Sequence, residues 1–166
     1  EDAALLTGRG RFADDVGETP GTLQAAVLRS PHAHAELLSV DATAALAMPG
    51  VRAVLTGEDV KRWSQPFVVG VKAPMQHWAL AVDRVRYSGE PVAVVIAEDR
   101  YLAEDALDAI RVEYRALPAT VDIAEASEAG APVLHEAVGS NVVNERFFRY
   151  GDPEQAPFDI IQYAPV

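Results

Sequence analysis

Apolar positions recur with period two from Thr22 to Arg29, where Leu23, Ala25 and Val27 share one face, and this predicts a strand. Pro20-Gly21 sets a turn ahead of it, and Ser30-Pro31 breaks it, because the residue before a proline is driven out of the helical region. Glu36 to Val40 reads as a second short strand and Val51 to Leu55 as a third. Between them Asp41 caps a short helix, Ala42 to Met48, which Pro49-Gly50 ends. Thr56-Gly57-Glu58-Asp59 opens a helical turn that closes near Trp63. Residues 64–78, with Pro66, Gly70, Pro74, His77 and Trp78, follow neither period and read as a long loop or irregular hairpin.

Leu80 and Val82 belong to a further strand or its lead-in. Val92 to Ala97 is apolar on both faces, as expected of a central strand covered on each side. Asp99 is an N-cap for a helix from Arg100 to about Ile110, with Leu102, Ala103, Ala106, Leu107 and Ile110 on its dry face. Arg111 to Ala116 returns to period two, which makes a strand–helix–strand unit ended by Pro118. A short helix near Ile123 to Glu128, a turn at Gly130-Ala131-Pro132 and a late strand or extended arm from Asn141 to Tyr150 complete the pattern. The division is an N-terminal arm, 1–20, a domain, 21–150, and a tail or linker, 151–166. The class is α+β, a mixed short-strand sheet with two or three helices. There are too few full crossover helices for a doubly wound parallel sheet.

The 166 residues suffice for one domain with its own core. A net charge of −11 argues against nucleic acid and against an anionic membrane face. The absence of cysteine excludes disulfides, thiolate zinc sites, cysteine nucleophiles and a cysteine-held iron–sulfur cluster on this chain. No apolar run nears the roughly 20 residues of a membrane span. The acidic start Glu1-Asp2 carries no signal-peptide core, so a cytoplasmic home is expected.

Candidate chemistry is sparse. His32 and His34 at i,i+2 would face one side of a strand as half a metal site, with Asp41, His77 or His135 as third ligand. Turn and packing roles explain them more simply. Thr7-Gly8-Arg9-Gly10-Arg11 could cradle a phosphate, but no strand precedes it and the P-loop spacing is missing. A flexible arm with two arginines is the plainer reading. The acidic pairs Asp14-Asp15, Glu98-Asp99 and Glu104-Asp105 have loop, cap and solvent-face explanations. Glu90 lies in the turn Gly89-Glu90-Pro91, which accounts for it. Trp63, Phe67, Trp78, Phe147, Phe148 and Tyr150 make either a docking face or a satellite cluster under the 64–78 loop.

The stretch from Val85 to Asp122, with Tyr87-Ser88-Gly89-Glu90-Pro91-Val92-Ala93-Val94-Val95, resembles the large subunit of the molybdenum hydroxylases. That family includes xanthine dehydrogenase, aldehyde oxidase and aerobic carbon monoxide dehydrogenase. Leu5 to Asp15, Ser30-Pro31-His32-Ala33-His34-Ala35, Met48 to Thr56 and Pro132-Val133-Leu134-His135-Glu136 fit it too, in order and at matching spacing. The resemblance implies the N-terminal α/β-hammerhead domain of that subunit. It implies a parent that hydroxylates aldehydes or purine-like heterocycles, or oxidises carbon monoxide. The parent would use a molybdopterin cofactor, with 2Fe-2S clusters and FAD on other subunits or domains. The implied partners are the remainder of the molybdenum-binding large subunit, an iron–sulfur subunit and an FAD subunit. No catalytic, cofactor-binding or metal residue carries over, since nothing here matches a Gly-Gly-Gly-Phe-Gly loop or a Gly-x-Gly-Glu end. The chain differs at Glu36, where many relatives are basic, at Ser88, where a β-branched residue is usual, and most of all over Phe158–Val166. The abrupt start and this tail read as those of a truncated piece. Three functions follow as expectations: a non-catalytic scaffold or docking domain, a stand-alone acidic interaction module of the same fold, and, remotely, a metal hydrolase on His32 and His34.

Overall fold

A computed structural model describes residues 2–67 and 75–145. In chain order the elements are α1 (Asp2–Leu6), a 3-10 turn (Ala13–Val16), β1 (Gln24–Arg29), β2 (Ala35–Asp41), α2 (Thr43–Leu46), β3 (Val51–Thr56) and α3 (Gly57–Trp63). There follow β4 (Arg84–Val85), β5 (Pro91–Ala97), α4 (Arg100–Leu107), β6 (Arg111–Ala116) and α5 (Ile123–Ala126). The run of apolar residues becomes the middle of a sheet, as its lack of a wet face requires. β5 lies between β1 and β3, antiparallel to both, with Val27 opposite Val94 on one side and Val54 opposite Val95 on the other. Val92, Ala93, Val95 and Ala97 are fully buried.

Helix α4 closes one face of this sheet. Ala103 and Ala106 carry the contact, with Ile110 beyond the helix, and together with Ala26, Ala45, Ala93, Val95 and Ala97 they form the first core. So many alanines let the helix lie close to the strands. Asp99 Oδ1 accepts from the Leu102 N–H at 2.8 Å, as its place before the helix predicts. Regular helix stops at Leu107, three residues before the expected Ile110. The N–H groups of Asp108, Ala109 and Ile110 bond three residues back instead of four, which tightens the last turn and still buries Ile110.

The other strands form a second antiparallel sheet in the order β4–β2–β6. The unit β5–α4–β6 therefore hands the chain from one sheet to the other, and the α+β hammerhead class holds. Ala35, Ala81, Val85 and Val92 make the second core, under Leu37, Val112 and Tyr114. Gly57 opens α3 against the backbone of Ala81, at a distance no side chain would permit. The Thr56 N–H and hydroxyl both donate to Asp59 Oδ2, at 2.9 and 3.0 Å.

Four expectations need correction or completion. Leu80 and Val82 form no strand: Leu80 and Ala81 are buried in a bend, and the Ala81 N–H reaches Pro91 O at 2.8 Å. The strand there is β4, displaced to the two residues that pair with Ala35 and Glu36. The arm 1–20 contains α1 and the 3-10 turn, although no residue of α1 is buried. Residues 141–145 form no strand, and 146–166 lie outside the described residues. In the 64–78 segment Phe67 and His77 make an antiparallel bridge, so the described part is an irregular hairpin. No helix among the described residues is long and apolar enough to cross a membrane.

Candidate functional site

The two histidines of the Ser30-Pro31-His32-Ala33-His34 segment do not act together. They lie in the bend between β1 and β2, before strand alternation begins at Ala35, so spacing two does not put them on one face. His32 packs its ring on Tyr114, with centroids 4.8 Å apart. His34 is 6% exposed, and its Nδ1 lies 2.8 Å from Pro118 O. A carbonyl only accepts, so Nδ1 donates, and the other ring nitrogen is Nε2. That Nε2 is buried and has no hydrogen-bond partner among the described residues. Asp41 is spent elsewhere, accepting from the Thr43 N–H at 2.9 Å to start α2. Among the described residues no three His, Asp or Glu side chains are grouped to hold a metal ion.

The glycine–arginine segment is a helix end rather than a phosphate cradle. Gly8 sits at φ 67°, its N–H bonds to Leu5 O at 3.2 Å, and the Arg9 N–H bonds to Ala4 O at 2.8 Å. This pair of bonds is the Schellman closure of α1, and it takes up the Gly8 and Arg9 amides. Asp15 Oδ2 accepts from the Phe12 N–H at 2.9 Å. Glu98 pairs with Arg52, Asp99 caps α4, and Glu104 and Asp105 face solvent. Trp63 and Phe67 are each 65% exposed, Trp78 is half-buried, and Phe147, Phe148 and Tyr150 lie outside the described residues.

The polar side chains that do converge surround β4. Glu90 is buried, and its carboxylate accepts from the Arg86 N–H. Burial pushes its pKa above the ordinary glutamate value, with the Arg86 amide, the Arg86 charge and His77 acting against the shift. Arg86 donates through Nε to Leu134 O at 3.1 Å and lies 3.9 Å from Asp83. Arg84 bonds Glu136 at 2.8 Å and reaches Glu36 at 3.5 Å. His77 stacks on Tyr87 at 6.4 Å. Burial holds His135 below the ordinary histidine value, and the charges of Arg86, His77 and His34 add to the effect. A cleft of about 300 Å³ opens here, lined by Gln76, Asp83, Arg84, Arg86, His135 and Glu136. The sequence pattern offers His77 and His135 only as possible third ligands and Glu90 only as a turn residue. It does not join them to Arg84 and Arg86, because Glu136, the partner of Arg84, lies about fifty residues away. A second cleft of about 300 Å³ is mainly apolar, with Met75, Ile123, Pro132, Leu134, Val142 and Val143 along it.

The model for the aldehyde oxidase and xanthine dehydrogenase a/b hammerhead domain matches residues 7–118. The chain belongs to this family. It is 38% identical to the carbon monoxide dehydrogenase large chain of Hydrogenophaga pseudoflava, aligned over 100% of this chain and 22% of that one. Among solved structures, quinoline 2-oxidoreductase from Pseudomonas putida 86 superposes with a TM-score of 0.77. That match is 42% identical and covers 86% of this chain and 18% of the other. A Cu,Mo-CO dehydrogenase follows with a TM-score of 0.68 and 39% identity, over 79% of this chain and 16% of that one. The chain thus spans about a fifth of the length of these relatives. It is a hammerhead domain of the kind found in molybdenum hydroxylase large subunits, as the resemblance implied.

Neither the cleft beside β4 nor the glycine–arginine segment fits the molybdenum cofactor of such enzymes. An anionic, phosphate-bearing group needs free guanidinium or backbone N–H donors. Here Arg84 and Arg86 are engaged by carboxylates and carbonyls of the domain itself, and the Gly8 and Arg9 amides close a helix. No step of that chemistry is assigned to them.

Proposed function

We propose that the chain serves a molybdenum-dependent oxidoreductase as the non-catalytic scaffold of its large subunit. The complete enzyme hydroxylates aldehydes or purine-like heterocycles, or oxidises carbon monoxide, in the cytoplasm. Its cofactor, 2Fe-2S clusters and FAD reside beyond these residues, and its partners are the rest of the large subunit, an iron–sulfur subunit and an FAD subunit. The observation that carries this reading is the family match over residues 7–118 in a chain spanning about a fifth of its relatives. The surface supports it: Leu6 at 86%, Val121 at 89% and Ile123 at 69% exposure leave apolar area on the arm and beside the apolar cleft. Burying such area contributes about 25 cal/mol per Å². The alternative, a stand-alone acidic module, has no support among the relatives.

The test is to coexpress the 166-residue chain with the complementary remainder of the Hydrogenophaga pseudoflava large chain. One-to-one copurification is expected, weakened by Ile123→Lys with Val142→Lys. No turnover is expected from the 166 residues alone when molybdenum cofactor, electron acceptor and substrate are added. Failure to copurify would refute docking, and cofactor-dependent turnover by the chain alone would refute the scaffold role.

A further inference from the structure

Residues 132–138 lie beyond the family match at 7–118, yet side chains tie them to the domain. From β4 and the turn after it, Arg84 bonds Glu136 at 2.8 Å and Arg86 Nε donates to Leu134 O at 3.1 Å. From the other side, Asn141 Oδ1 accepts from the Leu134 N–H at 3.0 Å. Its Nδ2 donates to Pro132 O at 2.9 Å and to Ala126 O at 3.0 Å. No strand forms over this stretch, so side-chain bonds and packing hold it in place. His135 sits half-buried in its middle.

We propose that residues 132–138 are an acid-released strap, docked beside β4 while His135 is neutral and freed when that imidazole gains a proton. The surrounding charges make the docked state resist the proton. Arg86, which follows β4, His77 of the 75–78 segment and His34 of the bend before β2 act on it, and Arg84 of β4 lines the same cleft. The nearby acids are committed: Glu36 and Glu136 to Arg84, Asp83 to Arg86, and Glu90 to the Arg86 amide. A new imidazolium therefore meets the Arg86 guanidinium, whose counter-charge Asp83 is already engaged.

The direction follows from linkage. Burial holds docked His135 below the 6.5 of a free histidine, so the released strap binds a proton that the docked strap refuses. Docking is at full strength above that value and fades as pH falls through it. Glu136, held low by Arg84, weakens the strap only in the carboxylate range, and Glu90, held high by burial, acts with the opposite sign. For one proton, a pH one unit below the free histidine value favours release by at most about tenfold, the limit reached when the docked ring takes up no proton.

Amide exchange on the full 166-residue chain, corrected for intrinsic rates, tests this between about pH 7.5 and pH 5.5. The Leu134, Val138 and Gly139 amides should lose more protection than those of β5, by a factor of at most about ten. The loss should vanish in His135→Asn. Unchanged protection, a loss shared equally with β5, or the same loss in His135→Asn would overturn the proposal. If that variant does not fold, the wild type decides. The midpoint of protection loss must follow the His135 ring titration, and a midpoint following another histidine overturns the strap equally.

Discussion

Replacing Gly57 with alanine reverses the usual sign of a glycine-to-alanine exchange at a helix start. Elsewhere in a helix the added methyl stabilises by about 0.5–1 kcal/mol, because it reduces the freedom of the unfolded chain. Here a Cβ on Gly57 would lie 2.0 Å from Ala81 O, 2.7 Å from Ala81 C and 2.8 Å from Val82 Cα. All three atoms are backbone, so no side chain can swing aside. Ala81 cannot retreat easily either: it is 5% exposed, its N–H is bonded to Pro91 O at 2.8 Å, and it packs in the second core. Overpacking of this kind costs about 1–3 kcal/mol, and contact with anchored backbone belongs at the upper end. Net destabilisation of about 2 kcal/mol is expected after the propensity gain is deducted. With a urea slope of about 2 kcal/mol/M, the unfolding midpoint falls by about 1 M, read by far-ultraviolet circular dichroism. Gly10→Ala is the control, since the one short contact of its Cβ would be with the tip of the exposed Leu5 side chain, at 2.6 Å, and its backbone contact, Leu5 Cα at 3.6 Å, is an ordinary one. A Gly57→Ala midpoint equal to or above that of the wild type would refute the close packing of α3 on the Leu80–Val82 bend.

Two further outcomes are expected. Asp99→Ala removes the cap of α4 and should cost about 1 kcal/mol by urea titration, with α4 amides exchanging faster; an unchanged midpoint would remove the cap from the account. Glu90→Gln tests the buried carboxylate. Its folded-state pKa is raised by burial, so its contribution is present in full below the ordinary glutamate value and is lost as pH rises through the raised one. Glutamine can still accept the Arg86 N–H, so the variant should gain stability relative to the wild type as pH rises from about 4 to about 7.5. A stability difference that does not vary with pH would show that Glu90 is not held protonated more tightly in the fold.

What was legible along the chain was what neighbours in sequence decide. Val92–Ala97 has no polar face, which predicted a central strand, and β5 is central, although Val94 and Ile96 on its second face stay half-buried. Asp99 precedes a helical apolar stripe, so it had to cap. β6 at Arg111–Ala116 follows from its period of two alone. The ordered motifs from Leu5 to Glu136 identified the family without coordinates, because they record spacing that the hammerhead fold imposes. The helix end at Leu107 and the missing strand at Leu80–Val82 were not legible. Each depends on a partner distant in sequence: a core that still buries Ile110, and the Pro91 carbonyl that takes the Ala81 amide.

The candidate site divides along the same line. Sequence alone determined that this is an acidic, cysteine-free α+β domain, because charge, composition and hydrophobic period are properties of the chain itself. Only the tertiary structure decided that His32 and His34 part company, since strand alternation begins one residue after them. It alone brought Arg84, Arg86, His135 and Glu136 around one cleft, from segments about fifty residues apart. A side chain's charge state and partners depend on burial and on what the folded backbone carries to it, and neither is written in its immediate neighbours.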